Sequence, residues 1–311
     1  MDSRSRVYVA GNTGMVGSAI VRMLHRKGYT NIFSTPSKHF DLRRQEEVER
    51  FFEVNQPEYV YLAAAKVGGI LANRDYPAHF IYDNLMIQSN IIESARKFGV
   101  KKLLFLGSSC IYPKECPQPI KEEYLLTGPL EPTNDAYAIA KISGIKMLQA
   151  YRKQYGFKSV SLMPSNLYGI GDNFHPDNGH VIPAMMTKFS NSNGKSVTFW
   201  GDGTPMREFL YADDLADACL FAMDRFENAE LINVGSGENV SIESLARTIA
   251  GVVGYHGNIE WDTTRPNGTP KRPLDYSKMT ELGWNSKHSL HDGLKKTYQW
   301  FIENTYYDSC K

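Results

Sequence analysis

The sequence predicts an α/β fold, a doubly wound parallel sheet followed by a smaller C-terminal domain. Three observations predict it. A short apolar run, Val7–Ala10, leads directly into a glycine-rich turn at residues 11–17. Apolar strand-like and amphipathic helix-like segments then alternate through the first half of the chain, as a parallel sheet covered on both faces requires. Past Pro164 this alternation gives way to a stretch crowded with Pro, Asn, Asp, Gly and His. The expected division is residues 1–163 for a dinucleotide-binding domain and 164–311 mainly for a substrate-binding domain.

Each element follows from its pattern. After the first strand, residues 18–27 read as an amphipathic helix, 31–34 as a second strand and 44–55 as a helix. Residues 59–65 form an apolar run suited to a central strand. Residues 83–98 carry Leu85, Ile87, Ile91, Ile92 and Ala95 at helical spacing. Lys102–Leu106 reads as a buried strand, 137–155 as a long helix and 159–163 as the strand after it. Residues 165–179 read as an extended loop over a site. Helical patterns recur at Val181–Asn191, 213–224, 241–253 and 290–302, with short strands at Val197–Trp200 and 231–234. Part of 208–235 is expected to return to the first sheet.

Composition narrows the function. The chain has 311 residues, 42% hydrophobic and 22% charged, enough to bury a substantial core. A formal net charge of +1 gives no long-range pull toward nucleic acid or an anionic membrane, so anionic ligands must meet local basic residues. No apolar run approaches a membrane span, and with the first strand starting within ten residues no signal peptide is expected ahead of it. The four cysteines (Cys110, Cys116, Cys219 and Cys310) show no C-x-x-C spacing, which fits a reducing, cytoplasmic setting without a disulfide framework. No metal site is expected.

The chemistry is concentrated in two places. Gly11, Gly14 and Gly17 stand in a G-x-x-G-x-x-G pattern between the first strand and the first helix. Glycines there permit sharp backbone angles and let main-chain N–H groups approach a pyrophosphate at the helix N-terminus. Such a triplet also serves purely structural turns. Its place in the first βα unit favours dinucleotide binding by Gly11, Asn12, Thr13, Gly14, Met15, Val16 and Gly17.

The second place joins Ser108 to Tyr137 and Lys141, which are spaced i,i+4 on one face of a helix. An ammonium beside a phenol stabilises phenolate, and Ser108 offers a hydroxyl to the same carbonyl oxygen. Together they suit reduction of a ketone, or oxidation of an alcohol, by a hydride carrier. A Tyr–Lys pair also arises by chance on amphipathic helices, and its coupling to Ser108 and the glycine turn favours catalysis.

The segments at residues 14–20 (GMVGSAI), 61–70 (YLAAAKVGGI), 103–113 (LLFLGSSCIYP) and 130–141 (LEPTNDAYAIAK) carry a family likeness. So do NLYG at 166–169, DNFHP at 172–176, HVIP at 180–183 and GTPMREFL at 203–210. With these the chain resembles the extended short-chain dehydrogenases/reductases that act on nucleotide sugars, and among them the GDP-L-fucose synthase family. The resemblance implies a Rossmann-type fold, NADP(H) as cofactor and a homodimer paired through the helices at 83–98 and 137–155. It also implies the substrate GDP-4-keto-6-deoxy-D-mannose, epimerised at C3 and C5 and then reduced at C4. The chain departs from the family pattern at Asn12 and Thr13, where His and Arg are usual, and at Ser165 and Ile170, where Thr and Pro are usual.

The resemblance further assigns residues. Cys110 becomes the base at C3 and C5, although a lone cysteine is most often a small buried apolar residue. In an extended segment Cys110 would share the face of Ser108. Removing a proton beside the ketone gives an enolate, whose oxyanion Ser108 and Tyr137 can stabilise. His180, which otherwise reads as a helix cap or loop residue, becomes the acid on the opposite face and a cofactor neighbour. His175 reads as loop structure. Pro164, Ser165, Asn166 and Leu167 fall where the family's loop meets the nicotinamide, and Lys141 also holds its ribose. Lys188, Trp200, Arg207 and Asp275 match positions that bind the GDP moiety. Trp200 reads equally as core, and Asp275 as a local cap.

Rival readings fit less well. A 4,6-dehydratase would carry an acidic pair where Ser109 and Cys110 stand, and a simple 4-epimerase needs no Cys–His proton pair. A redox-sensing NADP-binding regulator has no use for Tyr137 and Lys141. Cofactor choice follows from residues 33–38, Phe-Ser-Thr-Pro-Ser-Lys. No acid stands there to take a ribose 2′-hydroxyl, and Lys38 suits a 2′-phosphate, so NADPH is expected over NADH.

Overall fold

Alternate side chains of the first strand already divide the core. Val7 and Val9 face one side with Ile20, Leu24, Leu215 and Cys219, while Tyr8 faces the other with Val48, Phe52, Ile91 and Ile92. A computed structural model describes residues 1–34, 40–175, 179–265, 267 and 270–308. The chain runs β1 (Val7–Ala10), α1 (Met15–Arg26), β2 (Ile32–Phe33), α2 (Gln45–Asn55), β3 (Tyr59–Leu62), α3 (Ile70–Asp75), α4 (Pro77–Lys97) and β4 (Lys102–Leu106). It continues with α5 (Asp135–Tyr155), β5 (Ser159–Pro164), β6 (Asn166–Tyr168), α6 (Val181–Asn191), β7 (Val197–Trp200), β8 (Met206–Tyr211) and α7 (Ala212–Arg225). Then come β9 (Asn228–Val234), β10 (Asn239–Ser241), α8 (Ile242–Val253), β11 (Ile259–Asp262), α9 (Ser277–Glu281) and α10 (Leu290–Asp308).

Among the described residues, six parallel strands form the main sheet in the order β2-β1-β3-β4-β5-β9. Helices cover both of its faces, packing on the two apolar clusters that the sheet separates. The chain's path reverses between β1 and β3, and the carboxyl ends of strands at such a point form the ligand crevice of open α/β sheets. The last strand, β9, arrives late in the sequence and pairs with β5.

A second core lies beyond the sheet. Ile182, Met186 and Phe189 of α6 pack with Phe199, Phe209, Leu245 and Ile249. Two small sheets frame it, β10-β8-β6 and β11-β7. No helix among the described residues is long and apolar enough to cross a membrane.

The structure departs from the sequence reading at particular edges. The helix expected from residue 83 starts at Pro77, where proline's missing N–H costs nothing in a first turn. The loop expected at 165–179 contains β6, which exists through parallel pairing with β8. Of that stretch, residues 176–178 lie outside the described residues.

Candidate active site

At the carboxyl end of the main sheet lies a cavity of about 1370 Å³. Gly11 and residues 13–17 line its floor between β1 and α1, and Asn12 alone of that run does not. Gly11 holds φ at +87°, and a Cβ built there would lie 2.7 Å from the backbone N of Ala64. The turn therefore keeps two main-chain segments closer than a side chain permits, leaving a cradle at the N-terminus of a three-turn helix. Such a cradle fits the pyrophosphate of a dinucleotide. Gly11→Ala is expected to cost about 1–3 kcal/mol in backbone strain alone. It should also weaken NADPH binding by about tenfold or more. Denaturant unfolding and fluorescence titration check both, and unchanged affinity would remove the cradle from the cofactor site.

β4 ends in the next wall. Ser108 is extended (φ −161°, ψ 149°), and Ser109–Ile111 then turns as a 3-10 helix. The expected extended run through Cys110 is thus corrected. The turn nonetheless brings the two residues together, because Cys110 N donates to Ser108 Oγ at 3.4 Å. Ser108, Ser109, Cys110 and Tyr137 all line the cavity. Tyr137 stands in the first turn of α5, its ring edge-on to Phe80 at 6.3 Å between centroids.

Lys141 sits one turn further along α5 and is buried beneath the site. Its Nζ donates to Leu106 O at 2.8 Å and lies 5.8 Å from the Tyr137 ring centroid. Burial pulls this ammonium down to about 8. Burial also pushes the Tyr137 phenol well above its ordinary value, with Cys110 adding to the rise and the Ser108 hydroxyl opposing it. The expected lowering by the ammonium is therefore corrected: desolvation dominates and holds the phenol above its ordinary value. Burial likewise raises the Cys110 thiol, against the pull of Ser108, Lys141 and Arg272.

On the opposite wall, Pro164, Ser165, Asn166 and Leu167 line the cavity, as do His180, Lys188 and Trp200. His180 precedes α6 but makes no side-chain cap bond. Its Nδ1 lies 3.8 Å from Oδ1 of Asp172, a nearly buried carboxylate. Asp172 holds the His180 imidazole above its usual pKa, against the effect of burial. Trp200 is 58% exposed at the rim, which rules out the core reading. The Arg265 guanidinium lies over its ring at 5.2 Å, and Lys188 Nζ lies 5.8 Å from the Phe199 ring.

Besides Asn12 and the buried Lys141, two expected residues, Arg207 and Asp275, are not on the cavity lining. Arg207 donates to Met206 O, and burial together with nearby Arg272 lowers its pKa. Asp275 Oδ1 accepts from Ser277 N and Oγ, the local capping role. His175 donates its N–H to Asn173 Oδ1 in the loop.

Sequence reasoning missed a charged rim. Arg43 bridges Asp41 and Asp83, and Asp83 also meets Lys66 at 3.3 Å; all four line the cavity. The D-L-R run after the second strand was the available signal. Lys38, the cation expected for a 2′-phosphate, lies outside the described residues. Among the described residues no group of His, Cys, Asp and Glu is arranged to hold a metal ion.

Residues 7–235 match the NAD dependent epimerase/dehydratase family. The chain belongs to this family. It is 56% identical over 307 residues to a putative GDP-L-fucose synthase 2 of Arabidopsis thaliana, covering 98% of this chain and 94% of the relative. It is 51% identical over 314 residues to the GDP-L-fucose synthase of Escherichia coli strain K12, covering 97% and 98%. The structure of a GDP-L-fucose synthetase from Naegleria fowleri bound to NADP superposes with a TM-score of 0.92 at 31% identity, covering 98% of this chain and 95% of that one. The likeness read from the sequence motifs is borne out, and so is the doubly wound fold that this family shares.

Proposed function

We propose that this protein converts GDP-4-keto-6-deoxy-D-mannose to GDP-L-fucose by 3,5-epimerisation followed by NADPH-dependent 4-reduction. The observation that carries it is that a thiol, an imidazole and a Ser–Tyr pair line one cavity at the glycine turn. Reduction alone needs only the last pair. Cys110 takes a proton from the carbon beside the ketone, and His180, whose pKa Asp172 raises, returns one on the other face. Ser108 and Tyr137 hold the enolate oxygen between these steps. NADPH, when bound along residues 11–17 and 164–167, supplies the hydride for C4. Tyr137 then protonates the C4 oxygen, with Lys141 fixed beneath it. Lys188 and Trp200 receive the GDP moiety at the rim, while Arg207 and Asp275 are assigned to it by the family likeness alone.

The assembly we propose is a homodimer. α4 and α5, each of 21 residues, pack side by side and expose Tyr82 and Ile139. A second copy adding its own pair would make a four-helix bundle. Free Cys110, Cys116 and Cys219 support a cytoplasmic location. In domain terms, residues 1–163 bind the cofactor together with α7 and β9, and the remainder chiefly binds the nucleotide sugar.

The test is product identification by NMR after incubation with the ketosugar and either NADPH or NADH. GDP-L-fucose is expected, formed more efficiently with NADPH, because residues 33–38 contain no acid for the 2′-hydroxyl. A product still in the manno configuration would overturn the epimerase half. Equal efficiency with NADH would overturn the cofactor preference.

A further inference from the structure

A C-terminal strap is tied to the segment that follows the turn carrying Cys110. Gln118 Nε2 donates to Lys271 O at 3.0 Å, Ile120 N to Pro273 O at 2.8 Å, and Asp275 N to Ile120 O at 2.8 Å. Between these ties stands Arg272, partly buried, whose Nη2 donates to Pro113 O at 3.0 Å and Tyr112 O at 3.3 Å. The turn is fixed from beneath as well. The Tyr112 ring is fully buried, and its hydroxyl donates to Asn233 Oδ1 at 2.6 Å. Arg272 forms no ion pair with a carboxylate among the described residues, so its charge is not neutralised.

We propose that Arg272 is the positioning residue of the epimerisation base, clamping the carbonyls that close the Cys110 turn and holding a fixed positive charge toward the thiol. This rests on the assignment of Cys110 as base. In the step served, the C–H bond beside the ketone breaks, its proton goes to Sγ and its electron pair passes to the ketone oxygen. The reactive form of Cys110 is the thiolate, which a nearby cation favours. The groups that act on it are Ser108 on its own turn, Tyr137 and Lys141 on α5, and Arg272, held at the carbonyls two and three residues past Cys110. Lys141 loses its charge as the pH rises through about 8. A guanidinium stays charged across the whole working range, so Arg272 is the cation that persists.

The test follows the pH dependence of Cys110 alkylation by iodoacetamide, read by mass spectrometry of its peptide, in the parent, Arg272→Gln and Arg272→Lys. Arg272→Gln is expected to raise the midpoint by about one pH unit, and Arg272→Lys to restore most of it. Deuterium incorporation at C3 and C5 of the ketosugar should shift to higher pH in the same order. An unchanged midpoint in Arg272→Gln overturns the proposal, whatever happens to turnover. So does a midpoint in Arg272→Lys equal to that of Arg272→Gln. If Cys110→Ser keeps full exchange, the base assignment fails instead, while the alkylation result still reports on Arg272.

Discussion

Tyr137→Phe is expected to slow steady-state ketone reduction by about 10²–10⁴-fold, the usual worth of a positioned general acid. The substitution removes one hydroxyl and keeps the ring, so its edge-on packing against Phe80 survives. Lys141 keeps its bond to Leu106 O, and the glycine turn is untouched. Stability and NADPH affinity should therefore stay near the parent's. The loss is large because a protonated Tyr137 is the group that gives its proton to a new alkoxide. NADPH oxidation at saturating substrate, beside a cofactor titration, separates these effects. A variant that retains most of its reduction rate would remove Tyr137 as the proton donor.

Cys110→Ser should separate the two chemistries. A serine hydroxyl is far too weakly acidic to act as base near neutral pH, whereas hydride delivery and Tyr137 remain. In D₂O the variant is expected to lose deuterium incorporation at C3 and C5 while still slowly reducing the unepimerised ketone. The side chain is little smaller than the thiol, so the 3-10 turn and its bond to Ser108 Oγ should persist. Product NMR decides the matter. Fully epimerised, deuterated GDP-L-fucose formed at the parent's rate would make Cys110 a packing residue.

What the sequence revealed depended on how locally each feature is determined. Residues 103–106 are a continuous apolar run, and the structure places the strand on them with Lys102 at its start. β6 was illegible because three residues carry no period and its existence depends on β8, about forty residues away. The same division holds in the site. Tyr137 and Lys141 announce themselves through helical spacing, and the glycine turn through its place after β1. The period-two argument for Cys110 used the wrong local geometry, yet the 3-10 turn folds Cys110 N back onto Ser108. Asp172 beside His180 and Arg272 over Tyr112 left no local mark, since the latter pair is 160 residues apart. Nor does the sequence show that burial would dominate the Tyr137 phenol, because desolvation is a property of the packed cavity.

The late arrival of β9 gives this enzyme a particular order of birth. When the ribosome has released the chain only as far as β5, that strand presents an open edge, a template for unwanted pairing. Tyr112 then has no Asn233 to hold it, for that partner lies 121 residues downstream. Ser108, Cys110 and Tyr137 have by then all been synthesised, but the turn joining them lacks its floor. Nascent chains of this protein therefore contain Ser108 and Cys110 more than a hundred residues before the partner that floors the turn has been made.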